Sequence, residues 1–130
     1  MEFIRELRML GEQYERGTVP APAELRGEYS VVVPWFPWIS FAALKHRKAV
    51  GPGGGGDNIL LGNLRFGRFR LDGQEGSLLI NYDLPANTAA MRRVVDRIRR
   101  LPDGRLVGKL YYRVLGREVP LFFFEMRPKA

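Results

Sequence analysis

Beyond residue 57 the chain is written in short alternating runs joined by tight turns, and this pattern confines it to an antiparallel sheet. Residues 58–72 carry Leu60, Leu64, Phe66, Phe69 and Leu71. The alternation slips by one at Gly67-Arg68, which predicts a bulge. Asp72-Gly73-Gln74-Glu75-Gly76 reads as a hairpin loop, and in residues 77–83 Leu78, Ile80 and Tyr82 share one face. Residues 105–114 and 118–126 form a last hairpin around Leu115-Gly116-Arg117. Its first strand sets Leu106, Leu110, Tyr112 and Val114 on one face. The continuous apolar run Leu121 to Phe124 predicts a second strand covered on both sides.

The N-terminal part differs. Phe3, Leu7, Leu10 and Tyr14 recur at helical spacing, which predicts an amphipathic helix over 2–15, closed by Gly17 and barred from continuing by Pro20 and Pro22. Residues 27–34 predict a strand with Tyr29, Val31 and Val33 on one face, stopped by Pro34. A short helix is expected over about 38–48, with a strand over 44–50 as the alternative. The glycines of 51–56 read as a flexible loop. Asn87 or Thr88 can cap a helix over about 88–100, with Met91, Val94, Val95 and Ile98 as its buried stripe and Arg92, Arg93, Arg97, Arg99 and Arg100 as its outer face.

These elements make one α+β domain over 1–130, mainly β: a curled antiparallel sheet or partly closed small barrel, with the N-terminal helix (1–17) and helix 88–100 packed on a sheet-rich body (27–126). An open sheet of this size leaves an edge that a homodimer would cover.

The chain has no cysteine, so disulfides, Fe–S clusters, thiolate zinc sites and thiol nucleophiles are excluded. Acidic residues interrupt the N-terminus before a signal-peptide core can build, and no apolar run approaches the roughly 18 residues that span a bilayer, so a cytoplasmic protein is expected. The net charge of +7 favours anionic partners, whether nucleic acid, phospholipid headgroups or small acidic ligands, without choosing among them. An arginine-rich solvated surface explains it equally well.

The segments Leu79-Ile80-Asn81-Tyr82-Asp83-Leu84-Pro85-Ala86-Asn87, Gly108-Lys109-Leu110-Tyr111-Tyr112-Arg113 and Leu121-Phe122-Phe123-Phe124-Glu125, with the arginine-studded stretch between the first two, resemble small bacterial proteins of lipocalin-like (calycin) character. The likeness covers about the C-terminal half, and the Gly-x-Trp motif of lipocalins is absent. The resemblance implies a curled antiparallel sheet around an apolar cavity, with no chemistry attached.

Gly51-Pro52-Gly53-Gly54-Gly55-Gly56 satisfies G-x-G-x-x-G in form, but the residues that follow are strand-like and offer no helix N-terminus to a pyrophosphate. His46 is the sole histidine and has no acidic neighbour at ligand spacing, so no metal and no cofactor are expected; its neighbours Lys45, Arg47 and Lys48 disfavour its charged form. Trp35 to Leu44 reads in three ways: core, the rim of a pocket, or a membrane-surface or partner-docking patch beside Lys45–Lys48. Arg65-Phe66-Gly67-Arg68-Phe69-Arg70 combines charge and rings as single-stranded nucleic-acid binders do, although its rings read better as core. Glu125, Asp83 and His46 are the candidate acid–base groups, and solvated or salt-bridged surface explains the two acids as well.

The leading expectation is a lipocalin-like binding module for a small apolar or amphipathic molecule, lined by Trp35, Trp38, Phe66, Phe69, Tyr82, Tyr112, Phe122 and Phe124, with Arg113, Tyr111 or Glu125 as polar handles. The first alternative is a binder of anionic surfaces, nucleic acid or a peripheral membrane contact, through Lys45, Arg47, Lys48, Arg92, Arg93, Arg97, Arg99 and Arg100. The second is a cofactor-free small-barrel isomerase or cyclase.

Overall fold

Eight antiparallel strands follow one another around a closed barrel, each bonded to the next in chain order and the last to the first. The structure is a computed structural model that describes residues 2–33, 45–74 and 76–129, with side chains from residue 4 onward. An N-terminal helix, α1 (Glu2–Glu15), precedes β1 (Gly27–Val32), β2 (Arg47–Val50), β3 (Gly55–Leu60), β4 (Leu64–Gln74), β5 (Ser77–Asn81), β6 (Val94–Arg100), β7 (Leu106–Val114) and β8 (Arg117–Pro128). The barrel closes where Tyr29 to Val32 of β1 run against Glu125 to Pro128 of β8. Closure removes the free sheet edge, and with it the reason for expecting a dimer that covers one.

Tight turns make the meander. Leu115 and Gly116, with φ of 51° and 77°, turn β7 into β8; two successive positive φ values match the twist of a two-residue hairpin. Ladder slips at Phe66, between Ile59↔Arg65 and Asn58↔Gly67, and at Leu121, between Leu110↔Phe122 and Tyr111↔Pro120, are the bulges that tighten the curvature. The first lies one residue from the expected slip.

The interior is apolar at one end. Leu25, Leu78, Ile80 and Ile98 are fully buried there beside Tyr29, Val50, Phe69, Leu71, Leu106 and Met126. Burial of each large apolar side chain contributes roughly 1.5–3 kcal/mol. Gly108 faces the ring of Phe124 so closely that a Cβ would overlap it, so glycine is what lets β7 pass this ring. Outside, α1 lays Leu10 and Tyr14 over Val107, Leu101 and Phe123. The Tyr14 hydroxyl donates to the Arg97 carbonyl at 2.9 Å, and Thr18 bonds reciprocally with Arg100, which ties the helix and its connector to β6.

Four expectations need correction. The helix over 88–100 is a strand: only Met91–Arg93 make a 3-10 turn, on which Thr88 Oγ1 accepts from the Met91 amide at 3.3 Å, and β6 follows. Val94 and Ile98 face inward while Val95 is buried on the opposite side, and burial on both faces imitates helical spacing. The single strand over 58–72 is two, separated by a turn in which Leu61 and Gly62 take φ of 54° and 95°. Residues 47–48 belong to β2, so the helix over 38–48 gives way to the strand alternative there; residues 38–44, Trp35 and Trp38 lie outside the described residues. The glycine loop is shorter than 51–56, because Gly55 and Gly56 already pair with β4, and Gly51 donates to the Gly55 carbonyl at 2.8 Å. The turn leads into a strand, without the helix N-terminus a phosphate site needs. No described helix is long and apolar enough to cross a membrane.

Candidate functional site

Strand alternation carries polar side chains into the barrel at one level. On β2, Lys48 shares the inward phase of Val50; on β3, Asn58 stands opposite Lys48; on β6, Asp96 falls between the inward Val94 and Ile98 and opposite Ile80 of β5; Tyr82 continues the inward phase of Leu78 and Ile80. Lys48, Asn58, Tyr82 and Asp96 are each exposed by 3% or less.

Their hydrogen bonds define each atom's role. The Lys48 ammonium donates to Asn58 Oδ1 at 2.7 Å and to the Tyr82 hydroxyl. Asn58 Nδ2 donates to Tyr82 Oη at 3.1 Å and to the Gly67 carbonyl at 3.3 Å. Tyr82 donates onward to Asp96 Oδ2 at 3.0 Å, and Lys48 Nζ lies 3.6 Å from that oxygen. Rings of Phe69, Tyr82 and Phe124 surround the ammonium at 5.3–5.5 Å, a further source of cation stabilisation. His46 Nε2 lies 2.9 Å from Asn58 Oδ1. Because an ammonium can only donate, that atom of Asn58 is the oxygen, and Nε2 of His46 therefore carries the proton. Asp96 Oδ1 is buried without a hydrogen-bond partner among the described residues.

Burial governs the electrostatics. It pushes the Lys48 amine down and the Asp96 carboxyl up, while the charge of each draws the other back. Burial, with the Asp96 charge next, raises the Tyr82 phenol well above its ordinary value. His46 is lowered to about 4, first by burial and then by the Lys48 charge, so its ring is neutral at pH 7.

This cluster borders a cavity of about 320 Å³, at the lower end of the roughly 300–1,000 Å³ that ligand pockets span. His46, Lys48, Asn58, Tyr82 and Asp96 line it on the polar side. Val31 and Leu60 come from β1 and β3, and Val33 directly follows β1; Met91, Val94 and Leu110 come from the far side; Phe122 and Phe124 from β8; Phe66, 41% exposed, stands at the rim with its ring 5.3 Å from that of His46.

Of the expected ligand-binding residues, Phe66, Tyr82, Phe122 and Phe124 line the cavity. Phe69 is buried behind it, edge-on to Tyr82 at 5.9 Å. Tyr112 and Arg113 are half-buried on β7 and lie outside the lining; Tyr111 sits 5.5 Å from the guanidinium of Arg97. Among the acid–base candidates, His46 borders the cavity, Asp83 is half-exposed and 2.7 Å from Arg92, and Glu125 is outside the cavity lining, 3.2 Å from Arg127 rather than beside Arg113.

The expected cationic face divides. Lys48 is inside the barrel, because strand pairing carries it to Asp96 and Tyr82. Arg97 and Arg99 share the outer side of β6, opposite to Val94 and Ile98, so Arg92, Arg93, Arg97, Arg99 and Arg100 do not form one helical face. Arg47 pairs with Glu28 at 2.7 Å, Arg97 with Glu118 at 2.8 Å, Arg99 donates to the Tyr14 carbonyl at 3.0 Å, and Arg100 donates to the Gly104 carbonyl at 3.2 Å; Lys45 is exposed.

Sequence reasoning missed Asn58 and Asp96, and Lys48 as an interior group. The signal was a polar residue at the inward phase of an otherwise apolar strand, visible for Asp96 between Val94 and Ile98 once that segment is read with period two. No family model matches the chain, and neither a curated protein nor a solved structure does.

Proposed function

We propose that this β-barrel is a lipocalin-like binding module that takes a small amphipathic molecule into its interior. The observation that carries the reading is the 320 Å³ cavity, apolar on most sides and bordered on one by the Lys48–Asn58–Tyr82–Asp96 cluster. A barrel filled only for stability needs no such combination: a buried ion pair is often no better than apolar packing of the same volume, and unfilled space forfeits contacts. Ionisable groups displaced by burial at the wall of a cavity are a mark of functional sites. The apolar body of the ligand would lie against Val31, Leu60, Val94, Leu110 and Phe122, with its polar end toward His46 and Asp96.

Native mass spectrometry of the purified protein, with organic extraction of the same sample, tests this. A stoichiometric small molecule released by the solvent supports the reading. A ligand-free mass, together with no thermal stabilisation by any member of an amphipathic compound panel, overturns it.

A further inference from the structure

The polar end of the cavity offers hydrogen-bond acceptors, although the protein carries a net charge of +7 and a lysine lines the site. Lys48 directs its protons at Asn58 Oδ1 and Tyr82 Oη, with Asp96 Oδ2 3.6 Å away. The Tyr82 hydroxyl accepts from Lys48 and Asn58 and donates to Asp96. Both amide hydrogens of Asn58 are taken, by the Gly67 carbonyl and by Tyr82. Asp96 Oδ1 is buried without a partner among the described residues, and His46 Nδ1 is left unprotonated because Nε2 carries the ring proton. Both can only accept. Lys48 and Asp96 have opposite formal charges, so the cavity has no net charge to offer an anion.

We infer that the cavity selects a neutral molecule bearing a hydrogen-bond donor, a phenol or alcohol on an apolar body, over the corresponding carboxylate. This rests on the binding reading above and specifies the chemistry of its ligand. A hydroxyl reaching Asp96 would satisfy a buried carboxylate oxygen, and bonds to charged groups are the stronger ones. A carboxylate would bring its charge to acceptors, and the one nearby cation already gives two of its three protons to Asn58 and Tyr82 and has the opposite charge of Asp96 at 3.6 Å.

The test titrates the full-length protein with 2-naphthol, 2-methylnaphthalene and 2-naphthoate at pH 7, read from the methyl NMR signals of Val31, Leu60, Val94 and Leu110. The expected order places 2-naphthol about tenfold or more ahead of both others. Two variants locate the acceptors: His46→Phe, and the double replacement Lys48→Met with Asp96→Leu, which removes the ion pair without leaving a lone charge. At least one of them should bring 2-naphthol down to the affinity of 2-methylnaphthalene. Naphthoate binding as tightly as naphthol, equal binding of naphthol and methylnaphthalene, or a preference that survives in both variants each overturns the inference while leaving cavity binding intact. Absence of binding by all three compounds overturns the cavity reading as well.

Discussion

Lys48 Nζ and Asp96 Oδ2 lie 3.6 Å apart inside the barrel, with side chains 3% and 1% exposed. Both are almost wholly withdrawn from the surface, so each charge depends on the other and on Asn58 and Tyr82. Removing one partner leaves an uncompensated buried charge, which costs about 3–5 kcal/mol. Lys48→Met and Asp96→Leu are each expected to lower unfolding stability by about that much. The double variant is expected to be more stable than either single one. Urea denaturation monitored by tryptophan fluorescence and circular dichroism gives the comparison, and additive losses would contradict it.

His46 carries a pH dependence whose sign follows from its environment. Its folded pKa of about 4 lies below the unfolded value of 6.5, so the unfolded chain binds the proton first as pH falls. The stability from keeping the ring neutral is complete above about pH 6.5 and is lost as pH falls toward 4. Asp96, raised by burial, works in the opposite sense, since the folded state takes up its proton first. The difference between the wild type and His46→Phe isolates the histidine. The wild type should lose on the order of 1–3 kcal/mol more than the variant between pH 6.5 and 4. The ring carbon resonances of His46 should titrate near pH 4, and a midpoint near 6.5 would contradict the burial argument.

Gly108→Ala puts a methyl group into the ring of Phe124. Overpacking of a filled interior costs about 1–3 kcal/mol. Phe124→Leu, destabilising on its own, should be less so in combination with Gly108→Ala than the two losses added. Strict additivity would show that the ring moves aside without strain.

Tyr14 anchors α1 in two separable ways, through a hydroxyl bonded to the Arg97 carbonyl and a ring 5.4 Å from that of Phe123. Tyr14→Phe removes the first and is expected to cost about 0.5–1.5 kcal/mol. Tyr14→Ala removes both and is expected to cost about 3–5 kcal/mol. Hydrogen exchange should show the amides of α1 losing protection before those of β7 in the alanine variant.

Much of the barrel was legible because hairpin turns and alternation are local signals. Leu115-Gly116 marked one turn, and Leu78, Ile80 and Tyr82 marked an inward face. A partly closed barrel was one of the two forms expected, but full closure was not legible, since nothing local says that Val31 meets Met126. The segment Val94–Arg100 misled for a physical reason: with Val95 and Ile98 buried on opposite faces, its apolar residues fall at helical intervals although the backbone is extended. Once it is read as a helix, Asp96 looks like solvated surface, and Lys48 in a run of four basic residues looks like part of a cationic patch. The aromatic side of the cavity, with Tyr82, Phe122 and Phe124, came from sequence; its polar side required strand register, which pairs Lys48 with Asn58 and Ile80 with Asp96.

The most direct measurement is of intermolecular nuclear Overhauser effects between 2-naphthol and the methyl-labelled protein. Binding in the cavity gives contacts from the ring protons to Val31, Leu60, Met91 and Val94, and none to Leu10 or Val107 beneath the helix. Contacts confined to the outer surface, or none at a saturating concentration of the probe, would contradict it.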